Sequence, residues 1–328
     1  MKATARAHPN IALIKYWGRT DEALNLPVTG SLSMTMGGLH TTTTVEVAPG
    51  LERDEVHIDG KAAEPKAAAR VVKHLDRLRV LAKQQPRLRV VSRNTFPQGS
   101  GLASSASAFA ALTVAANEAL ALGLDAKAMS TLARQGSGSA ARSHYGGWVV
   151  WHPGETSEES FAEQVAPPEH LDVVDVVALV SKAHKKVGSS EGHGLARTSA
   201  LHQARVDAVQ EWLKESLIAL KAKDLPTLGA LAERDALAMH AVMMTSEPSL
   251  LYWAPRTVEV LHAVRAWREE GRQCWFTIDA GPNVHILASA RDAPKVVDGL
   301  RGLGFAAADV LTCPPGPGPS LLREHLAP

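Results

Sequence analysis

The sequence predicts an α+β protein of two domains, and three features point that way. The chain is 328 residues long, which on the usual length scale suggests about two domains. Strand and helix patterns mix in both halves without settling into a regular parallel strand–helix–strand series. A polar, glycine-containing segment, residues 184–194, separates the halves and reads as a mobile loop, so the boundary is expected between residues 183 and 184.

Taken in order, residues 11–16 are apolar enough for a buried strand, ending at Trp17 and Gly18. Residues 32–35 and 40–47 follow as strands, the second rich in β-branched threonine and valine. Residues 55–58 run into Asp59-Gly60, a hairpin turn signal. A helix is expected over 65–84, with Val71, Val72, Leu75, Leu78 and Leu81 at helical spacing. Residues 87–93 alternate as a strand and lead into PQGSGLASSASAF, residues 97–109. The helix opened there runs to about Leu122 and stops at Gly123. Asp125 caps a shorter helix to Gln135. Residues 148–151 read as a strand, 153–168 as a polar surface loop and 172–181 as a buried strand. In the second half, amphipathic helices are expected over 199–222 and 225–239, and Pro255 opens another that ends at Gly271. Residues 274–278 and 284–287 are strands around the turn DAGPN, 294–303 is a last helix, and CPPGPGP, residues 313–319, reads as a turn-rich tail.

Composition narrows the function. Hydrophobic residues at 45% and charged residues at 21% fit a folded chain with a large core. A formal net charge of +1 provides no overall basic field, so nucleic acid is not an expected partner and any anionic ligand must be held by local groups. The two cysteines, Cys274 and Cys313, are too few for a disulfide framework and fit a reducing compartment. The N-terminal residues lack an apolar signal core, and no stretch reaches the roughly 20 apolar residues of a membrane helix. A cytoplasmic protein with no membrane partner is the expectation.

Four polar segments interrupt the apolar elements. In the first, Gly99 and Gly101 allow close backbone approach, and Leu102, Ala103, Ser104 and Ser105 form a first helical turn. Free N–H groups and the positive end of the helix dipole make such a turn a phosphate site, although a tight turn before a closely packed helix explains it equally. The second offers Lys15, Tyr16 and Arg19 at a strand end. The third offers Ser137, Ser139 and Arg142, hydroxyls with a guanidinium whose fork suits phosphate. The fourth is Asp279 before Ala280, Gly281, Pro282 and Asn283, placed to act as a general base or to satisfy turn donors. Read singly, Lys15 and Arg19 are equally solvated surface charges, and Ser137 and Ser139 equally helix caps.

Together, NIALIKYWGR, PQGSGLASSASAF, RQGSGSAARSHYGGW, MHAVMMTSEP and FTIDAGPNV resemble, in order, the mevalonate diphosphate decarboxylases of the GHMP kinase superfamily. The resemblance spans residue 10 to about 287. It implies the two-domain GHMP kinase fold, with a ribosomal S5 domain 2-like N-terminal domain, a ferredoxin-like C-terminal domain and the active site in the cleft between them. The implied reaction is ATP-dependent decarboxylation of mevalonate 5-diphosphate to isopentenyl diphosphate, a step of isoprenoid biosynthesis, with ADP, phosphate and CO2 as the other products. Asp279 would be the base at the tertiary hydroxyl, with Lys15 beside it. Gly99, Gly101, Leu102, Ala103, Ser104 and Ser105 would hold ATP phosphates, and Ser105 would also face Mg²⁺. Tyr16, Arg19, Ser137, Ser139 and Arg142 would hold the substrate's diphosphate and carboxylate, and Ser189 would lie in a loop reaching over it. Family members are commonly homodimers, which is the expected assembly.

The chain departs from the family pattern at several positions. Arg19 stands where Lys is usual, and Gln98, Gly99 and Ser100 replace the usual Thr-Ala-Ala. Thr29-Gly30 precedes Ser-Leu-Ser in place of Asn or Ser, which is expected to alter the substrate pocket. His193 follows Gly192 in place of Met, and Ser190 lies where some bacterial members carry Arg. The alternatives are a relative that acts on mevalonate 5-phosphate or phosphorylates the 3-hydroxyl of mevalonate without decarboxylation, and a nucleotide-binding homologue without catalysis.

Overall fold

The computed structural model describes residues 1–96, 104–183 and 187–328. Within them three larger sheets carry the architecture. The first runs in the order Ser320–Leu322, Lys2–Ala7, Thr41–Val47, Leu88–Asn94, Glu55–Ile58, Lys61–Ala62. The second runs Ala162–Ala166, Trp148–Trp151, Ser31–Thr35, Asn10–Ile14, and the third Cys274–Thr277, Val284–Ser289, Val173–Ala178, Val310–Cys313. Neighbours pair antiparallel except Glu55–Ile58 against Leu88–Asn94, as an α+β chain requires. The expected hairpin at Asp59-Gly60 forms, with both residues at positive φ.

Helices fill the spaces according to side-chain size. Helix Ser104–Ala119 buries Ala110, Ala111, Ala115 and Ala116. It lies on the first sheet over Ala3, Ala5 and Ala7, so small residues on both surfaces bring helix and sheet close. Helix Pro65–Ala82 adds Leu75 and Leu78, each fully buried and worth about 2 kcal/mol on the transfer scale. Helices His202–Lys221 and Leu225–Met244 lie between the second and third sheets. Val209, Leu228 and Leu231 share one core with Met34 and Trp148 from one side and Trp275 and Leu287 from the other. Helices Pro255–Glu269 and Ala293–Gly302 cover the third sheet's far face with Val260, Val264, Trp267 and Val296.

Four sequence expectations are corrected. Lys2–Ala7, unassigned in the sequence, is a strand between two partners. Residues 153–168 are not all loop: Ala162–Ala166 is a strand on the edge of the second sheet, and its exposed Glu163, Gln164 and Val165 hide it from an apolar pattern. Ser189–Leu195, expected within a loop, is a short helix whose Gly192 and His193 are buried against the first half. The proline-rich tail continues into Ser320–Leu322, which returns to pair with Lys2–Ala7. Val173–Ala178 pairs in the third sheet, so strand pairing crosses the expected boundary in both directions.

Candidate active site

A cavity of about 380 Å³ opens where the second sheet, helix Leu225–Met244 and the third sheet converge. Strand Asn10–Ile14 ends at Lys15, and strand Cys274–Thr277 ends two residues before Asp279. The two side chains meet there, Lys15 Nζ donating to Asp279 Oδ1 at 2.8 Å. The Lys15 side chain is only 2% exposed and that of Asp279 27%, so the carboxylate keeps one face toward the cavity.

Helix Leu225–Met244 holds both ends of this pair. Asp235 accepts the Lys15 backbone N–H at 2.6 Å and Arg205 Nη2 at 2.7 Å, while Arg205 also donates to the Lys15 carbonyl at 3.1 Å. His240 Nε2 lies 3.1 Å from the Asp279 carbonyl oxygen. Burial, aided by the nearby Lys15 charge, pushes the His240 imidazole down to about 4, so it is neutral and donates that bond.

Hydroxyls and cations line the remaining wall. Ser105, at the first turn of helix Ser104–Ala119, lies 3.0 Å from the Ser137 hydroxyl, and Ser139 lies 3.5 Å beyond. Arg142, buried in the helical turn Gly138–His144, donates to Ser31 Oγ at 2.7 Å and to Asn10 Oδ1 at 3.2 Å. Burial lowers its pKa to about 10, opposed by Asp279 and Tyr16, and it remains a cation at neutral pH. Arg19 Nε donates to Tyr16 Oη at 2.9 Å. Burial raises the Tyr16 phenol against the pull of Arg19, which keeps it protonated. Gly138 is required by closeness, since a Cβ there would sit 2.6 Å from the Tyr16 ring.

The expected residues Lys15, Tyr16, Arg19, Ser104, Ser105, Ser137, Ser139, Arg142, Ser189 and Asp279 all line this cavity. Gly99, Gly101, Leu102 and Ala103 lie outside the described residues. Thr29 and Gly30, expected to alter the pocket, do not line it: Gly30 packs against Leu213 and the Trp151 carbonyl. Sequence reasoning missed Arg70, which reaches the cavity from helix Pro65–Ala82 and donates to the Gly136 carbonyl at 3.2 Å. It also missed Asp235, Arg205 and His240, although His240 sits inside MHAVMMTSEP, where a buried His among apolar residues was a usable signal. Among the described residues no group of three or more His, Cys, Asp or Glu is arranged to hold a metal ion, and no helix is long and apolar enough to cross a membrane.

Two α+β halves meet over a basic, hydroxyl-lined cavity, and the domains they match place the chain in the GHMP kinase superfamily. Residues 7–162 match the diphosphomevalonate decarboxylase-like N-terminal domain, and residues 175–312 match the mevalonate 5-diphosphate decarboxylase C-terminal domain. The chain belongs to the mevalonate diphosphate decarboxylase family. It is 35% identical to the phosphomevalonate decarboxylase of Haloferax volcanii over 93% of each chain. The crystal structure of mevalonate diphosphate decarboxylase from Staphylococcus aureus superposes with a TM-score of 0.94 at 37% identity, covering 98% of both chains. A structure described as MDDEF in complex with MVAPP, AMPPCP and magnesium gives a TM-score of 0.93 at 37% identity, covering 98% of this chain and 99% of that one.

Proposed function

We propose that this protein is a diphosphomevalonate decarboxylase. It consumes ATP and mevalonate 5-diphosphate and releases isopentenyl diphosphate, ADP, phosphate and CO2. The observation that carries the reading is the Lys15–Asp279 pair, 2.8 Å apart, at the wall of a cavity otherwise furnished with cations and hydroxyls. A similar protein binds MVAPP together with AMPPCP, an ATP analogue, and magnesium.

Asp279 takes the proton of the substrate's tertiary hydroxyl as that oxygen attacks the γ-phosphorus of ATP and ADP leaves. A carboxylate with an ordinary pKa of about 3.9 is a weak base for an alcohol, so the proton moves late, as the new P–O bond forms. Lys15 neutralises charge beside the transferring phosphoryl group. Phosphorylation turns a poor leaving group into a good one. The C–O bond then breaks, phosphate departs, and the electrons of the bond to the carboxylate form the new alkene as CO2 leaves. The departing phosphate provides an anionic surrounding for positive charge at the tertiary carbon.

Tyr16, Arg19, Ser137, Ser139, Arg142 and Ser189 are read as the substrate's contacts, with Arg70 added to the cations facing it. Ser104 and Ser105, with Gly99, Gly101, Leu102 and Ala103, are read as the ATP phosphate cradle. Mg²⁺ fits the hydroxyl of Ser105 completed by ATP phosphate oxygens and water, in keeping with its preference for few protein ligands. When bound it would neutralise phosphate charge. We read the chain as two functional domains, 1–183 and 184–328, acting as a cytoplasmic homodimer; the buried free thiols of Cys274 and Cys313 fit a reducing compartment.

Decarboxylation of mevalonate 5-phosphate is the second reading. It is favoured by the Haloferax volcanii relative, named a phosphomevalonate decarboxylase, and by Ser190, which adds no cation at the cavity edge. One assay separates the two. The protein is supplied with ATP, Mg²⁺ and mevalonate carrying two, one or no 5-phosphates, and ADP and CO2 are followed. CO2 release from the diphosphate is expected, whereas release from the monophosphate alone would overturn the first reading in favour of the second.

A further inference from the structure

We propose that His193 is a substrate-binding residue that holds a phosphate oxygen of mevalonate 5-diphosphate with its Nε2–H, as a neutral donor. The proposal rests on the decarboxylase reading above and names a contact of that same site.

The imidazole packs against two aromatic rings. Its ring centroid lies 4.1 Å from that of Tyr16 and 4.5 Å from that of Trp17. It belongs to the short helix Ser189–Leu195, and Gly192 before it permits the fit, since a Cβ there would stand 2.7 Å from the Trp17 ring. The plane of the ring is therefore set by packing.

Its protonation is set by a backbone bond. The Gly18 N–H donates to His193 Nδ1 at 3.1 Å. Gly18 adopts φ 95°, a left-handed geometry that suits glycine, and this orients the amide toward the ring. A cationic imidazole would carry a proton on Nδ1 and meet that N–H head-on. The ring is thus neutral, with its one proton on Nε2. The charged groups around it act the same way: burial first, then Arg19, Arg205 and Arg142, lower its pKa well below the ordinary value.

Nε2 has no partner among the described residues, yet His193 is only 7% exposed and lines the cavity. An N–H that opens into the cavity is available to a ligand, and an anionic oxygen is a strong acceptor for it. The phosphate end of the substrate is favoured because the ring stacks on Tyr16, whose phenol oxygen accepts from Arg19 at 2.9 Å, so His193 sits beside a cation read as a diphosphate contact. Ser190, on the same helix, offers only a hydroxyl, so His193 is the stronger donor this helix brings to the cavity.

The test compares wild-type enzyme with His193→Met and His193→Gln. One hydrogen bond to a charged oxygen is worth roughly 10- to 100-fold in affinity. His193→Met is expected to raise the KM for mevalonate 5-diphosphate by that factor, with kcat and the KM for ATP changed less than about threefold, and His193→Gln to recover part of the loss. Equal loss with mono- and diphosphate would assign the inner phosphate, and loss with the diphosphate alone the outer one. In ¹⁵N-histidine-labelled wild-type enzyme at pH 7.5 without ATP, adding mevalonate 5-diphosphate should bring the His193 Nε2–H into slow exchange with water. This readout stands even if the variants do not fold. Wild-type turnover with an unchanged substrate KM in His193→Met, or an Nε2–H indifferent to substrate, would overturn the assignment while leaving the decarboxylase reading intact. Absence of ADP and CO2 from wild-type enzyme with every phosphorylated mevalonate would overturn both.

Discussion

Replacing Asp279 by Asn changes one property of the site and spares the rest. The amide has nearly the size of the carboxylate, and its oxygen still accepts from Lys15 Nζ, which in the native pair is 2.8 Å away. The His240 bond goes to the backbone carbonyl of residue 279 and is untouched. The variant loses the basic oxygen and one negative charge. A positioned general base is worth about 10²- to 10⁴-fold, or roughly 3–5 kcal/mol of barrier at about 1.4 kcal/mol per decade. Turnover of Asp279→Asn should fall by that factor. Affinity for ATP should hold or tighten, because a site that binds a polyanion has lost an anion.

The assay follows ADP and CO2 separately under saturating ATP and mevalonate 5-diphosphate, with ATP binding measured by calorimetry and folding by thermal melting. Lys15 is left as a buried cation without its charge partner, which costs up to about 3 kcal/mol, less than the usual total stability. ADP and CO2 should fall together, since the proton leaves during phosphoryl transfer. CO2 release within tenfold of wild type would refute the reasoning. So would continued ADP formation with CO2 abolished, which would move Asp279 from the first step to the second.

Two further outcomes follow from the geometry. Gly138→Ala would put a methyl group 2.6 Å from the Tyr16 ring and displace a side chain that holds Arg19 and stacks on His193. The KM for mevalonate 5-diphosphate should rise by roughly tenfold or more at a stability cost of about 1–3 kcal/mol, with the KM for ATP unchanged; steady-state kinetics checks it. His74, His144 and His240 are held neutral by burial, with pKa values of about 3, 3 and 4 against 6.5 when unfolded. Between pH 6.5 and 4 the unfolded chain therefore binds more protons, so their stabilisation is complete above pH 6.5 and is lost on acidification by up to about 1.4 kcal/mol per pH unit each. Thermal melting from pH 7.5 to 4.5 should decline below about 6.5, and a flat profile to pH 5 would contradict the burial of these rings.

The parts of the molecule legible in the sequence were those where a local pattern meets a local cause. The hairpin at Asp59-Gly60 forms because both residues accept positive φ. Helix Pro65–Ala82 forms because its proline stands in the first turn and its apolar residues repeat at helical spacing. Lys2–Ala7 was hidden because a strand beneath an alanine-rich helix is itself made of alanines, leaving little apolar signal. Ala162–Ala166 was hidden because an edge strand with exposed polar residues does not alternate. The short helix at Ser189 was hidden because glycine and serine favour loops, and it is tertiary packing, of Gly192 and His193 on Trp17 and of Leu195 on the same cluster, that favours the helix. In the site, residues that project from strand ends and turns, such as Lys15, Arg142 and Asp279, stood out as polar groups where apolar elements stop. Asp235 and Arg205 did not, because a charge on an amphipathic helix looks solvated until tertiary packing closes over it.

That last difference bears on how the site is kept in register. Lys15 follows a strand of the second sheet and Asp279 a strand of the third, and among the described residues only an isolated bridge, Met36 with Pro315, pairs backbone between extensions of those sheets. Helix Leu225–Met244 packs on both strand ends. It binds the Lys15 backbone through Asp235 and the Asp279 backbone through His240, five residues or about 7.5 Å of helix rise apart. The spacing of the reacting pair is therefore set by this helix together with a direct contact between the strand ends, where the Thr277 hydroxyl donates to the Ala12 carbonyl at 3.5 Å. Arg205 ties the neighbouring helix to the same point through Asp235 and the Lys15 carbonyl, so both helices between the sheets hold the strand end. A buried pair of this kind contributes little net stability compared with apolar packing, but removing either partner strands a charge in the core. Its value here is geometric: the Asp235–Arg205 pair restrains Lys15 at the backbone, which leaves the ammonium committed to Asp279 alone among the described residues.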